Sequence, residues 1–548
     1  MTIKWFAIIL VVTGVLKSEA QVINAASCSA SDVQKAFNSV TAATTTVNIP
    51  ACPAGVGWST RVTLAIPSGN TNLSVVGAGS LTTTGGGDQT VLVDNYAGGG
   101  NPLLQIITNL TTSSFFRLAG ITIQGGNPGS GNDKYNGIVE ISGASQNVRV
   151  DHSHFNVSTY TSSGGSSGMQ WDGCLYGVVD HNIWDANADS VNNGFRAYNQ
   201  GTCNNDSIGV GDQSWTLPTG FGTNAFMFIE DNIFNSGAGN DCTKGGKFVA
   251  RHNTFNMTGA PPSLQTHPTG GAGRERGCRA WEIYDNTFTA QPSNYINTVM
   301  WASSGTGLVW GNTIPSSSTG GGTGYRSVIN GHEMRHDNST YTQAAPPNGW
   351  GYCNSTTVGG VPGPSNWDQN TSGQDGYACL DQVGRGAGDL LVGGFSSDGS
   401  GSNNVINSAT GCNYSSPCAY PRQALEPVYE WADAYTPVPN NPSGIWSESE
   451  DEIQNNRDYF LGTSNSGAAI SFNGTTGVGA GVLASRPNTC TTGVAYWVTD
   501  QGSSGTLYQC SSPNTWTVYY TPYTYPHPLT QADPQEPQAP TGLSAVVN

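Results

Sequence analysis

Six short segments of the sequence share a pattern in which one variable residue stands two positions before an Asn or Ser. The first three segments carry acids at this position, and the next three carry a base and two aromatic residues: Asp151, Asp180, Glu230, Arg251, Tyr284 and Trp310. Carboxylates held close together repel one another unless they bind a cation, share a proton or pair with a base. We therefore treat these six positions as candidates for chemistry.

Two reactions fit this set. In a lyase that acts on a uronic acid polymer, Asp151, Asp180 and Glu230 would bind Ca²⁺, which neutralises the sugar carboxylate, and Arg251 would remove the acidified proton. In a hydrolase, two of the acids would act as a pair, about 5 Å apart on adjacent turns for retention or further apart on alternate turns for inversion. The bland alternative is a solvated polar face on which Arg251 neutralises Glu230.

A second candidate cluster lies in "SLQTHPTGGAGRERGCRAW", residues 263–281. It places three arginines near one histidine in a chain with only 20 Lys and Arg. With Glu230 and Arg251, the predicted catalytic residues here are His267, Arg274 and Arg276. The predicted substrate-binding residues are Lys244, Lys247, Arg279, Tyr284 and Trp310. The alternative is a loop whose charges pair with an acidic surface.

The motif "HEMRH" places His332, Glu333 and His336 at the spacing of a zinc peptidase. That chemistry needs a helix, so that both histidines share one face and the glutamate activates a metal-bound water. Gly331 comes directly before the motif and Asp-Asn-Ser directly after it, and no amphipathic helix surrounds it. A chance match in a loop is the interpretation that we favour, and zinc is not expected there.

The six segments predict a coil of stacked strands. Their Asn or Ser positions are separated by 29, 50, 21, 33 and 26 residues, so a short common core alternates with connections of variable length. A propeller or a leucine-rich array keeps a steadier period. The 50-residue interval holds either one extra turn or one long loop. We predict a parallel β-helix from about residue 60 to at least residue 330.

Alternation within the segments predicts which side chains face the core. The residues expected to point inward are Val148, Val150, Trp281 and Ile283, and those expected to point outward are Arg149, Asp151, Glu282 and Tyr284. The Asn is expected to take a left-handed conformation and to bond to the backbone or to the next Asn. The following aromatic residues are expected to stack inside: Phe155, Trp184, Phe234, Phe255 and Phe288.

The segments "DHSHF", "DHNIW", "EDNIF", "RHNTF" and "YDNTF" resemble those of the right-handed parallel β-helix, pectate-lyase-like superfamily of secreted proteins. The resemblance covers about half of the chain and implies an all-β, right-handed coil. That superfamily contains lyases, hydrolases, esterases, epimerases, adhesins and tailspikes, so the fold does not decide the function. The motif that would identify a lyase is absent, and no residue role is carried over.

The composition restricts the compartment and the partners. The first 20 residues read as a secretory signal peptide, with Lys4, an apolar run and a small-residue cleavage site. Twelve cysteines in an exported chain predict disulfides, with pairs such as Cys28–Cys52, Cys353–Cys379, Cys412–Cys418 and Cys490–Cys510. A net charge of −17 gives no basis for nucleic-acid binding. We expect a secreted or periplasmic protein without a membrane span, and its oligomeric state stays open.

The predicted domain boundaries follow from composition. After the signal peptide come an N-terminal cap (21–60), the coil (61–336) and a disulfide-tied excursion rich in Gly, Pro and Asn (337–425). Residues 426–530 hold further strands and a small C-terminal β cap, which is alternatively a carbohydrate-binding appendage. Residues 531–548 form a Pro-rich tail.

Three functional hypotheses remain. The first is a carbohydrate-active enzyme, with a lyase that cleaves an extracellular acidic polysaccharide by β-elimination placed before a glycoside hydrolase. The second is an adhesin or structural β-helix without activity, which would use exposed aromatics such as Tyr284 and Trp310. A zinc peptidase is third. Convergence of the acidic column and the arginine loop on one groove would favour an enzyme.

Overall fold

The computed structural model describes residues 20–80, 87–109, 114–132, 134, 137–158, 167–186, 193–198, 212–236, 238–257, 263–267, 277–290, 295–314, 324–331, 381–388, 390–392, 404–406, 423–435, 445–448, 453–462 and 472–531. The strands in these ranges form a parallel β-helix, which confirms the predicted fold. A complete turn contributes one strand to each of three columns, and in each column the strands of successive turns stack in parallel. No helix in these ranges is long and apolar enough to cross a membrane. The predicted signal peptide lies outside them, except for residue 20.

Each column is a stack of parallel strands. The first column holds Val62–Ala65, Leu104–Asn109, the first halves of Val139–Asp151 and Met169–Asp180, Asn193–Tyr198, Ala238–Cys242, Leu264–Thr266, Tyr295–Ala302, Gly324–Gly331 and Trp446–Glu448. The second holds Gln21–Asn24, Thr44–Asn48, Asn72–Val76, Phe115–Ala119, the second halves of the two long strands, Met227–Glu230, Lys247–Arg251, Ala280–Tyr284, Thr306–Trp310, Val428–Trp431 and Tyr459–Leu461. The third holds Cys52–Trp58, Thr90–Asp94, Thr122–Gly125, His154–Asn156, Ile183–Asp185, Ile233–Asn235, Thr254–Met257, Thr287–Ala290, Thr313–Ile314 and Ala434–Tyr435.

The predicted inward residues form the inner core. Val148, Val150, Trp281 and Ile283 are fully buried in one apolar cluster that runs along the coil. The predicted aromatic stack is also present, with ring centroids 4.0 to 5.7 Å apart and nearly parallel planes, through Phe155, Trp184, Phe234, Phe255 and Phe288. Apolar burial at one position per turn therefore fixes the register of every strand around it.

The corner between the second and third columns is only two residues long, and it departs from one expectation. The left-handed residue is the one before the Asn, as at His181 (φ 54°) and His252 (φ 55°), and not the Asn itself. Each Asn side chain instead bonds along the coil. Asn253, for example, donates to the carbonyl of Ile229 at 2.8 Å and to Oδ1 of Asn286 at 3.0 Å. The Asn side-chain amides form a ladder of hydrogen bonds along the coil, and the residue before each Asn takes the left-handed conformation of the corner.

The long intervals are excursions within single turns. Val179 pairs directly with Ile229, so the 50-residue interval contains no extra turn. Asn312 likewise bonds to Asp433, 121 residues further along the chain, with Nδ2 2.9 Å from Oδ1. The coil thus continues after the predicted excursion, and its first strand, Gln21–Asn24, already pairs with Thr44–Asn48 inside the predicted cap. In the described part of the excursion, Arg385–Gly388 pairs antiparallel with Gln423–Leu425, and Leu390–Val392 pairs antiparallel with Asn404–Ile406.

Short elements complete the N-terminal turn. Helix Ala30–Asn38 begins at Ser29, whose hydroxyl accepts the amide of Asp32, and buries Val33 and Phe37 on the inner core. Disulfide Cys28–Cys52 lies beside it and confirms that prediction. Cys490–Cys510 is confirmed too, while Cys242–Cys278 was not anticipated. The predicted pairs Cys353–Cys379 and Cys412–Cys418 lie outside the described residues.

A small C-terminal sheet follows the coil, as predicted. It consists of Val478–Gly481, Ala495–Val498, Thr506–Ser512 and Thr515–Tyr520. The short helix Pro528–Gln531 follows it, and 3₁₀ turns lie at Asp212–Thr216 and Leu483–Ser485. The sheet packs against the outward side of the second column and not on an open end, since Trp497, Leu507 and Tyr520 share an apolar cluster with Trp310 and Trp431.

Candidate functional site

The six predicted chemical positions do form one column. Backbone pairing places them on successive turns in the order Asp151, Asp180, Glu230, Arg251, Tyr284 and Trp310. We refer to them as the covered column, because the C-terminal sheet and residues 521–531 (the C-terminal strap) lie over them. The expectation that Tyr284 and Trp310 are exposed is wrong, since only 2% and 6% of their surface remains accessible.

The two aspartates of the covered column bind arginines. Asp151 accepts two bonds from Arg117, from Nε and Nη2 at 2.6 Å each, and Asp180 accepts two from Arg149 at 3.0 and 2.9 Å. Burial alone would raise the pKa of Asp151, but the bonds from Arg117 and His152 outweigh it and hold the pKa at about 2. Guanidinium groups therefore supply the positive charge that we expected from Ca²⁺.

Arg251 joins the coil to the C-terminal strap. Its Nε donates to Glu230 Oε2 at 2.7 Å, and its Nη atoms donate to the carbonyls of Tyr523 and Thr524 at 2.8 and 2.9 Å. The backbone amide of His527 in turn donates to Glu230 Oε1 at 2.8 Å. Arg251 and Glu230 are both fully buried. The predicted catalytic roles of Arg251 and Glu230, and the predicted metal-binding role of the three acids, stay predictions. The contacts of Arg251 and Glu230 with the C-terminal strap join it to the coil, and we call these contacts the seam.

Glu282 ties the small sheet to the second column in the same way. Its carboxylate accepts the amide of Gly222 at 2.9 Å and the hydroxyl of Tyr520 at 2.8 Å. Complete burial raises its pKa to about 7, although these bonds and the charges of Arg251 and Lys247 oppose the rise. The folded protein therefore holds a proton on Glu282 that the unfolded chain loses near pH 4.5.

We expect Glu282→Gln to flatten the pH dependence of stability. Because burial raises the folded-state pKa of Glu282, the free energy of unfolding of the wild type should fall as the pH rises from about 4.5 to 7, by about 3 kcal/mol. Gln carries no charge and should remove most of this fall. Urea unfolding at several pH values measures it. Asp32→Asn is the control, because the pKa of Asp32 is lowered and lies below this window.

Two of the predicted substrate-binding cations are also buried. Lys247 Nζ donates to the carbonyl of Thr219 at 3.2 Å, and burial lowers its pKa to about 8. Arg279 is fully buried and donates through Nη2 to Leu217 O and to Glu426 Oε2, both at 2.9 Å. These two side chains are buried in the packing around the second column, whereas Lys244 and His267 are half-buried.

A different face carries charged groups that are partly open to solvent. On the outward side of the first column lie Glu140, Asp172, Lys244 and His267, with the fully buried Asp241 beside His267, and we call these five residues the carboxylate face. Glu140, Asp172, Lys244 and His267 are each half-buried, in contrast with the covered column. The predicted catalytic Arg274 and Arg276 lie in residues 268–276, outside the described residues. His332 and His336 lie outside them as well.

The electrostatics of the carboxylate face separate its two neighbouring acids. Burial raises the pKa of Asp172, and the positive charge of Lys244 opposes that rise. Burial also raises the pKa of Glu140, which accepts a bond from Gln105 at 3.3 Å, and the negative charge of Asp172 raises it further. Glu140 is therefore favoured as the protonated member of the pair and Asp172 as the ionised one.

Local structure fixes the direction of these acids. Glu140 and Asp172 alternate with Ile141 and Trp171, which are fully buried in the inner core, so the acids must point outward. Gly173 follows Asp172 with φ +118°, and a Cβ there would lie 2.3 Å from the carbonyl of Gly143 one turn away. The glycine lets the strand continue around the corner directly after Asp172.

The rest of the face adds a second pair and an aromatic ring. Disulfide Cys242–Cys278 fixes the strand that carries Asp241, whose Oδ1 lies 3.4 Å from His267 Nδ1. Gln265 and half-buried Trp301 occupy the following turns at the position of Asp241. The described residues include no group of three or more His, Cys, Asp or Glu placed to hold a metal ion.

Sequence reasoning found Lys244 and His267 but missed Glu140, Asp172 and Asp241. The available signal was the alternation in "GIVEISG" (137–143) and "GMQWDGC" (168–174), where one acid stands beside large apolar residues and a glycine follows. The six aligned segments cover only strands of the second and third columns. The sequence pattern therefore did not show that the acids of the first column lie on neighbouring turns.

Comparison with known proteins gives a distant likeness. No protein-family model matches the sequence. No curated protein matches it either. Among solved structures, the chain is similar to the catalytic domain of a GH87 alpha-1,3-glucanase in complex with nigerose, at 12% identity and a TM-score of 0.27, covering 82% of this chain and 68% of that one. A variant of that domain in complex with tetrasaccharides matches at 12% identity and a TM-score of 0.24, covering 82% and 69%. No residue role or activity follows from a likeness of this level.

Proposed function

We propose that the protein is a carbohydrate-active enzyme, a glycoside hydrolase that cleaves polysaccharide at the carboxylate face. The observation that carries this proposal is the pair Glu140 and Asp172, which lie on neighbouring turns, half-exposed, with both pKa values raised. General acid–base cleavage of a glycoside needs one protonated and one ionised carboxyl group, and their surroundings must favour this difference. A purely structural surface gains nothing from such an arrangement, because it costs stability.

The surroundings assign the two roles. Glu140 acts as the general acid and protonates the glycosidic oxygen as the bond to the anomeric carbon breaks, since burial, and then the charge of Asp172, raise its pKa and keep its proton in place. Asp172 acts as the general base and takes a proton from the water that attacks the anomeric carbon. Lys244 favours the ionised form of Asp172 before the reaction. The proton gained by Asp172 and the proton lost by Glu140 then exchange with solvent.

The spacing favours inversion. Strands of neighbouring turns stack about 4.8 Å apart and each residue advances about 3.3 Å, so the Cα atoms of Glu140 and Asp172 lie roughly 8 Å apart. Inverting enzymes hold their carboxyl groups about 6.5–9.5 Å apart to leave room for the water. Because both side chains stand outward, roughly perpendicular to the sheet, their carboxyl groups should keep a similar separation, and a product with inverted anomeric configuration is expected.

The charge of the protein favours a neutral polymer. The net charge of −17 and the acids of the carboxylate face repel a polyanion. Trp301, half-buried on the turns beyond Asp241, offers a ring on which a sugar can stack. This proposal replaces the acidic polysaccharide of the lyase hypothesis by a neutral one.

A lyase remains the second candidate, on one observation. Lys244 and His267 stand among carboxylates on the same face, and His267 approaches Asp241 at 3.4 Å, so a base is present beside groups able to attract a cation. In that reaction one of these bases would remove the proton next to a uronate carboxylate, with Ca²⁺ as the expected cation.

A polysaccharide screen of the full chain tests the proposal. The panel contains neutral α- and β-glucans and uronate polymers, each with Ca²⁺ and with chelator, followed by reducing-end formation and by ultraviolet absorbance of unsaturated uronates. New reducing ends on a neutral glucan without absorbance support hydrolysis. Absorbance on a uronate polymer supports the lyase instead, and no product on any polymer would favour the adhesin or structural hypothesis.

A further inference from the structure

Two histidines stand side by side on the outside of the coil, away from the carboxylate face. His152 and His181 occupy the left-handed corner position of neighbouring turns, with φ 48° and 54°. Their rings are stacked, with centroids 5.1 Å apart and planes 7° from parallel. The corner conformation turns both side chains outward, and 27% and 46% of their surfaces are exposed.

A buried carboxylate holds the inner nitrogen of each ring. His152 Nδ1 lies 2.7 Å from Asp151 Oδ2, and His181 Nδ1 lies 2.9 Å from Asp180 Oδ2. Arg117 and Arg149 donate to these same carboxylates, whose oxygens therefore act as acceptors. Nδ1 must therefore carry the proton in each neutral ring, and the lone pair of Nε2 faces away from the coil.

We propose that His152 and His181 form a surface site for one divalent transition-metal ion of the kind that imidazole binds, such as Zn²⁺ or Cu²⁺. A carboxylate on one ring nitrogen and a metal on the other is the recurrent arrangement of metal-bound histidine. Within the described residues, no hydrogen bond to protein occupies either Nε2 atom.

The neighbouring charge also favours a cation. Asp231 occupies the same corner position on the next turn, and its negative charge acts on His181 together with that of Asp180, while the positive charge of Arg149 opposes them. Tyr525 donates to Asp231 Oδ1 at 2.8 Å. The site has two protein nitrogens and is completed by water, since three ligand groups do not already converge there. Two nitrogens that each lie about 2.0–2.1 Å from one ion are at most about 4.2 Å apart. The two rings, which are parallel with centroids 5.1 Å apart, must therefore tilt toward one another when the ion binds.

His252 provides a matched control in the same column. It has the same corner conformation, with φ 55°, but the ring of Tyr525 covers it at a centroid distance of 3.6 Å. Its Nε2 faces Asp285 at 3.9 Å and not a second imidazole. His252 should therefore contribute nothing to the proposed site.

Isothermal titration calorimetry with ZnCl₂ and with CuCl₂ tests the proposal. It is performed on the His332→Ala/His336→Ala variant, so that the HEMRH motif cannot contribute. One ion per chain is expected. His152→Ala and His181→Ala should each weaken binding by at least about tenfold, and His252→Ala should leave it unchanged. CaCl₂ should not compete, because Ca²⁺ takes oxygen ligands.

Two results would overturn the site. One is the absence of Zn²⁺ and Cu²⁺ binding to the folded chain. The other is equal binding by the parent and by the His152→Ala/His181→Ala variant, which would assign the ion to another place. Circular dichroism confirms that each variant is folded; Asp151 and Asp180 keep their arginine partners without the histidines. Since polysaccharide cleavage is not the readout, failure here leaves the proposed function untouched.

Discussion

Asp172→Asn is expected to lower the rate of polysaccharide hydrolysis by about 10³-fold, because Asn cannot accept the proton of the attacking water. The change keeps the size of the side chain and its place beside Lys244, so substrate binding should change little. Glu140→Gln should have a similar effect on polymers, because Gln has no proton to donate to the leaving oxygen. Initial rates of reducing-end formation at saturating substrate measure both effects.

The pH dependence of the hydrolysis rate distinguishes these catalytic roles from a general loss of structure in the variants. Since the pKa of Glu140 is raised, wild-type activity should fall as the pH rises through that value, and the residual activity of Glu140→Gln should lack this alkaline limb. The control is Asp285→Asn, which removes another partly exposed aspartate whose pKa is raised, to about 6, on a different side of the coil. Wild-type rates in both Asp172→Asn and Glu140→Gln would exclude this pair as the catalytic groups.

Arg251→Met is expected to reduce the free energy of unfolding by about 3–5 kcal/mol, the usual cost of removing one partner from a buried ion pair. Glu230 would remain buried with its charge uncompensated, and the carbonyls of Tyr523 and Thr524 would lose their donors. The C-terminal strap should then detach more often. Urea unfolding measures the loss, and limited proteolysis should cut the strap first.

Two further variants make the Arg251 prediction specific. Arg251→Met/Glu230→Gln removes both charges and should recover part of the lost stability. Lys35→Met removes a cation from an ion pair whose lysine side chain is 77% exposed, and no measurable change is expected. A loss below about 1 kcal/mol for Arg251→Met would show that the seam does not hold the strap.

The sequence predicted the coil because its evidence is local. Inward Val150 and Trp281, and the rings of Phe234 and Phe255, recur within each segment, and stacking makes every repeat support the same register. The covered column was predicted for the same reason. Its burial was not, since Arg251 meets Tyr523 across 272 residues and no local pattern marks such a contact.

The candidate site was predicted only in part, for a different physical reason. His267 and Lys244 attracted notice because cations are rare in this chain. Glu140 and Asp172 lie in strands whose acid-to-apolar alternation is ordinary for a half-exposed face, and only their stacking on adjacent turns makes them a pair. These two acids of the carboxylate face are of the same residue types as the acids of the covered column. They differ from them only in what surrounds them in the folded protein.

The bond from Asn312 to Asp433 has a consequence for how such a protein can change over time. The two residues meet as ordinary neighbours although 121 residues separate them, because the cost of closing a loop grows only with the logarithm of its length. The register of the coil therefore depends on the stacking of successive turns and not on the number of residues between them. Whole modules can be gained, lost or exchanged between the first and second columns, next to the carboxylate face, without altering the strands that support it.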